Sequence, residues 1–206
     1  LDGRTGRFSD AVAMHTDALA LARKAGDKAE TARSLRMLGV LYRNLDDEEL
    51  ASRYLLEALS YVEERNRREA IALHGELIGA FTRLEKLPEA EHHGQQAVRL
   101  AELSGSHPNK VNAFTRVAEL RLLQGRIDEA EQWVERANAS YDHVAVRDKT
   151  LVRISRLRVL AARNNTAQAL KEADVVLADV RDLGDRILER SLLDLLSVLQ
   201  LRAGDA

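Results

Sequence analysis

Apolar residues recur three and four positions apart through the whole chain, in runs separated by short polar turns. Leu35, Leu38, Gly39 and Tyr42 line one face of such a run, and Ala51, Leu55 and Ala58 line a face of the next. That spacing marks amphipathic helices, each of which must bury a stripe. Followed to its end, the pattern predicts ten helices, near 8–25, 29–44, 48–65, 68–84, 88–104, 109–124, 128–141, 148–163, 167–182 and 186–203. Their starts are marked by Asp27 with Glu30 three residues on, by Asp46 with Glu49, by Pro88, and by Pro108 followed by Asn109. These are residue types that cap or open a first turn. No strand-like alternation and no Asn-Gly hairpin competes, and no low-complexity linker marks an internal domain boundary.

Over this short period lies a longer one. Alanine returns at Ala11, Ala51, Ala90, Ala130 and Ala169, and the first four are followed seven residues later by Ala18, Ala58, Ala97 and Ala137. Two alanines seven apart lie on one helical face, where a small side chain lets a second helix approach closely. Repeated every 39 to 40 residues, they describe a tandem array of helical hairpins. Glycine marks the half-period: Gly6 and Gly26, Gly105 and Gly125, and Gly184 and Gly204 are each twenty residues apart, where helices are expected to end.

The stations of one unit, a large residue, then Leu-Gly, then an aromatic, then the paired alanines, resemble the tetratricopeptide repeat. In the next units they read His74, Leu77, Ile78, Phe81, Ala90, Ala97 and Phe114, Val117, Ala118, Arg121, Ala130, Ala137. The motif glycine is thus replaced, and Arg121 interrupts the aromatic station. The unit at 148–182 fits if its Asn164-Asn165-Thr166 turn is one residue shorter, which buries Ile154, Leu157 and Ala161. The commonest form of this repeat has about 34 residues. These longer units are similar to those of bacterial transcription activators, sensor segments and peptide-pheromone receptors. The resemblance implies an all-α, right-handed superhelical solenoid of antiparallel hairpins, expected as a single domain over 1–206.

Leu1 to Arg7 read as the tail of a unit whose first helix is missing, and Gly204-Asp205 as the turn of a unit whose second helix is missing. The chain is therefore expected to be a fragment of a longer protein. Neither end shows a polar capping helix, and Val12, Leu19, Leu192, Leu195 and Leu199 are expected to seek cover. Further repeats, an attached domain or self-association through the apolar ends would supply it.

Composition narrows the chemistry. A formal net charge of −2 offers no global attraction to nucleic acid or an anionic membrane, and no apolar run reaches the length of a bilayer span. There is no cysteine, hence no disulfide or thiolate metal site. No phosphate loop, zinc-protease, calcium-loop or nucleophile-elbow pattern occurs, so neither catalysis, nor a cofactor, nor a metal is expected. His92 and His93 point about 100 degrees apart on a helix and do not chelate one ion together. Trp133 reads as packing between repeats, with ligand contact as the alternative. Arg65, Arg67 and Arg68 read as cations complementing a helix C-terminus at a turn.

In tetratricopeptide arrays the first helix of each unit lines the concave groove. Carried onto this sequence, the groove residues are Arg33, Arg36, Val40, Arg43 and Asn44, then Thr82 and Arg83, then Asn112, Thr115 and Glu119. Three arginines on one face would form a fork for carboxylates, and the alternative is a solvated outer face. The expected function is binding of a protein or peptide segment, acidic by this reading, as the recognition or sensory part of a bacterial signalling or transcription-regulating protein. A receptor for a short signalling peptide and a free-standing self-assembling adaptor are the alternatives. No direct contact with nucleic acid or membrane is expected, and the cytoplasm is the default compartment, the periplasm the alternative.

Overall fold

The computed structural model describes residues 3–62 and 66–204. Among them every regular element is helical: α1 (Gly3–Ala25), α2 (Lys28–Asn44), α3 (Glu48–Ser60), α4 (Arg67–Arg83), α5 (Leu87–Ser104), α6 (His107–Leu123), α7 (Ile127–Asn138), α8 (Val146–Ala162), α9 (Thr166–Leu183) and α10 (Arg186–Gly204), with a 3₁₀ turn at Tyr141–His143. The architecture is an all-α solenoid of antiparallel hairpins, α2–α3, α4–α5, α6–α7 and α8–α9. The chain divides after Ser104 into two compact units, α1–α5 and α6–α10.

Each hairpin turns through three residues, and the middle one is left-handed: Asp46, Glu85 and Asn164 at φ 58° and Gly125 at φ 72°. The following amide reaches back five residues, as Asp47 to Tyr42, Lys86 to Phe81, Arg126 to Arg121 and Asn165 to Leu160, at 2.8–3.0 Å. This satisfies a carbonyl that the helix end leaves unpaired. Only one of the four sites has the glycine for which this conformation is free of cost.

The structure moves several sequence expectations. Asp46 is the left-handed turn residue, so the cap of α3 is Asp47, whose carboxylate accepts from the Leu50 amide at 3.0 Å. The expected cap of α2, Asp27 accepting from the Glu30 amide, is present at 2.9 Å. Gly6 lies inside α1 and Gly204 is its helix's last residue, so neither is a turn glycine, whereas Gly26, Gly105, Gly125 and Gly184 all have positive φ. Arg67 and Arg68 open α4, at the helix end where a cation meets the positive pole of the dipole; Arg65 lies outside the described residues. The turn at 163–165 is as long as the others, so no residue is lost there.

Alignment on these turns shows what the hairpins bury. Ala51, Ala58, Ala90, Ala97, Ala130, Ala137 and Ala169 are all fully buried. Gly39 faces Leu55 so closely that a Cβ would lie 2.6 Å from its Cγ and 3.2 Å from the Ala51 carbonyl oxygen. At the same two stations the later hairpins carry Ile78 and Gly94, Ala118 and Val134, and Leu157 and Ala173, all buried. The small residue changes helix while the pair keeps roughly one large side chain, which is how a closely packed interface tolerates a lost motif glycine. A second recurring station, on the second helix, holds Tyr54, His93 and Trp133. Tyr54 stacks on Tyr42 at 5.4 Å, His93 on Phe81 at 5.4 Å, and Trp133 packs against Phe114 at 5.4 Å.

The α8–α9 hairpin differs. Ile154, Leu157 and Ala161 are buried as expected, but Arg153 and Arg156 stand at the stations of Leu35 and Leu38. They pair with Asp179 and with Glu172, which replaces the aromatic of the other second helices.

Candidate binding surface

The exposed edge of the first helices is built by spacing. Arg36 and Arg43 are two turns apart on α2, and Glu69 and Glu76 are two turns apart on α4, so both residues of each pair face the same way. Packing α2 beside α4 brings them together in two parallel rungs. Arg36 Nε lies 2.9 Å from Glu69 Oε1, and Arg43 Nη1 donates to Glu76 Oε2. The first rung is a little under one third exposed, and the second is more enclosed, at 17% and 15%. Gly79 leaves room for the second, since a Cβ there would lie 3.3 Å from Arg43 Nη1.

The remaining candidates of this unit divide by exposure. Arg33 is 69% exposed and pairs with Glu30, one turn away on its own helix, at 3.0 Å. Asn44 is exposed and Val40 half-buried. Thr82 spends its hydroxyl proton on the Ile78 carbonyl at 2.7 Å. Arg83 reaches Glu48 at 2.7 Å and Asp46 at 3.7 Å. Burial raises the pKa of Glu48, opposed by the charges of Arg83 and Arg43. Here Arg43, Arg83, Glu48 and Glu76 form one charged cluster at the ends of α2 and α4 and the start of α3.

Asn112, Thr115 and Glu119 belong to the second unit. Thr115 is buried and donates to the Val111 carbonyl at 2.8 Å, so it is a core residue and offers nothing to an open face. Asn112 is half-buried. Glu119 accepts from Arg158 of α8 at 2.9 Å, and Arg158 also donates to Ser191 of α10 at 2.7 Å. First helices are thus cross-linked by charge in both units.

Sequence reasoning missed Glu69, Glu76 and Arg158. The signal was present as two carboxylates seven apart, 33 residues beyond two arginines seven apart. It becomes a contact only when packing sets adjacent first helices side by side.

Beneath this surface, His74 of α4 and His93 of α5 bring their Nδ1 atoms to 2.8 Å in the hairpin interior. Burial holds both pKa values down at about 4, with nearby His92 adding to the effect on His74, and His74 and His92 to that on His93. At neutral pH both rings are uncharged, one donating and the other accepting. Trp133 is a packing residue, partly buried among Phe114, Ala130 and Val134, with Arg136 over its ring at 4.1 Å.

A family model for the tetratricopeptide repeat matches residues 2–64 and 68–142. Among solved structures, BtubC (BKLC) from P. vanneervenii superposes with a TM-score of 0.55 at 14% identity, over 97% of this chain and 93% of that chain. At that identity the likeness speaks for the fold. Comparison with curated proteins finds no match.

Proposed function

The chain belongs to the tetratricopeptide repeat family, a scaffold for protein–protein interaction, and we propose that its first helices, above all α2 and α4, receive an acidic segment of a partner protein. The observation that carries this is the pair of rungs, Arg36–Glu69 and Arg43–Glu76, with Arg33 exposed beside them. The Arg36–Glu69 rung is the more open of the two, so a ligand carboxylate can compete with Glu69 for Arg36. A guanidinium also offers a fixed fork of donors that suits a carboxylate. Arg33 supplies the first encounter, Arg36 the exchangeable contact, and the more enclosed Arg43–Glu76 rung stays in place as the floor. In the wider setting the segment serves as the recognition arm of a bacterial signalling or transcription-regulating protein, a reading supported by the 39-to-40-residue period.

The test is binding of a short fluorescent Glu/Asp-rich peptide, against its Gln/Asn counterpart, by fluorescence anisotropy. The expected result is preference for the acidic peptide, weakened several-fold by Arg33→Ala with Arg36→Gln and strengthened by Glu69→Gln, which frees Arg36. Equal binding of the two peptides, or no response to either substitution, would overturn the acidic reading.

A further inference from the structure

Resting on the acidic reading above, we infer that the partner segment carries an aliphatic side chain two residues beyond its carboxylate, seated between the two rungs against Val40 and Ala72. The surface then reads an acid and an apolar group together, and not negative charge alone.

The space between the rungs is set by helical spacing. Arg36 and Arg43 are seven residues apart, about 10 Å along the axis of α2, and Glu69 and Glu76 match them on α4. The two ion pairs therefore close the two ends of a short stretch of surface. Within it, Val40 stands on the open face of α2 and Ala72 on that of α4, in line with the exposed Arg33 and Arg68. Both are half-buried, while Leu35 and Leu38 of α2 and Leu73 and Leu77 of α4 are fully buried. Neither Val40 nor Ala72 brings a polar side-chain atom, so the stretch offers contact to an apolar group and no partner to a carboxylate.

The chemistry at the two ends differs. Arg36–Glu69 is the more open pair; Arg43–Glu76 is enclosed, and Gly79 gives Arg43 the room to stay there. A second carboxylate reaching the far end would meet Glu76, with Arg43 already engaged. A run of acids is thus poorly matched to this length of surface, whereas an acid followed by an apolar residue matches it.

Spacing sets how far apart the two groups must be. Val40 lies four residues past Arg36, about 6 Å along the axis. In an extended segment, side chains two residues apart point the same way and lie about 7 Å apart. The second unit is built otherwise at this place: Glu119 and Arg158 stand at the station of Val40 and pair with each other.

Fluorescence anisotropy with short labelled peptides tests this. The reference peptide carries Glu-Glu with Leu two residues after the second Glu; its counterparts replace that Leu by Ser or by Glu, or the Glu pair by Gln-Gln. The Leu peptide should bind about tenfold tighter than the Ser peptide, the gain expected from burying part of one aliphatic side chain. It should also bind tighter than the Glu peptide, despite its smaller charge. Val40→Ser and Ala72→Gln, each confirmed as folded by a circular dichroism melt, should bring the Leu-to-Ser ratio toward one. The first removes the apolar wall, and the second lays a polar side chain over the seat. Equal binding of the Leu, Ser and Glu peptides, or a ratio that a folded variant leaves unchanged, overturns the aliphatic seat while the preference for Glu-Glu over Gln-Gln stands. Equal binding of Glu-Glu and Gln-Gln peptides, or binding of neither, overturns the acidic reading itself and the seat with it.

Discussion

His74 and His93 show how one residue pair ties stability to pH. Their short Nδ1–Nδ1 contact requires that at least one nitrogen be unprotonated, and burial lowers both pKa values from the ordinary 6.5 to about 4. The unfolded chain then binds more protons than the folded one between those values, so the pair's stabilisation is complete above about pH 6.5 and declines as pH falls toward 4. Thermal melts should show a marked loss between about pH 7 and pH 5. The variant His74→Leu with His93→Tyr copies Leu35 and Tyr54 of the preceding hairpin, and should remove most of that loss. His74→Leu alone leaves a buried imidazole nitrogen without a partner and should cost about 1–3 kcal/mol at neutral pH. An equal pH dependence in the double variant would place the titration elsewhere.

At the scale of the element, the hairpins conserve the fit between two helices and not the identity of any residue. Gly39 with Leu55, Ile78 with Gly94 and Leu157 with Ala173 solve one packing problem with the small partner on either helix. A Cβ at Gly39 forces Leu55 or the α3 backbone to move, so Gly39→Ala should destabilise by about 1–3 kcal/mol. Leu55→Ala should cost about 2–5 kcal/mol by leaving a cavity. The two together should cost clearly less than their sum, because each removes what the other lacks. Denaturant titrations of the four proteins of the cycle measure this, and simple additivity would refute the pairing.

At the scale of the whole molecule, charge is sorted by helix type through the four hairpins from α2 to α9. In the first unit α2 and α4 hold seven basic and three acidic residues, while α3 and α5 hold two basic and six acidic. In the second, α6 and α8 hold eight basic and two acidic, while α7 and α9 hold three basic and eight acidic. Much of this opposition is spent between neighbouring helices, in Arg121–Glu129, Arg153–Asp179, Arg156–Glu172 and Arg163 with Asp128 and Glu131. Most of these pairs reach solvent, where salt screens them. Raising sodium chloride from about 0.05 to 1 M should therefore lower Tm by only a few degrees, as followed by circular dichroism. A drop large enough to approach unfolding would mean that ion pairs, and not the apolar stripes, hold the hairpins together.

The amino-acid sequence by itself determined the helices, the period and the family, because each is written in local spacing. Stripes three and four apart, alanines seven apart and units 39 to 40 apart need no partner to be read. It also placed Arg33, Arg36 and Arg43 on one face of α2. Tertiary structure decided what those arginines meet. Arg36 and Arg43 are held by Glu69 and Glu76 on the next first helix, and Thr115, placed by analogy on the groove, is buried in the core. Contact between residues 33 apart depends on the distance and angle at which whole helices pack, and these follow from the fit of many side chains at once.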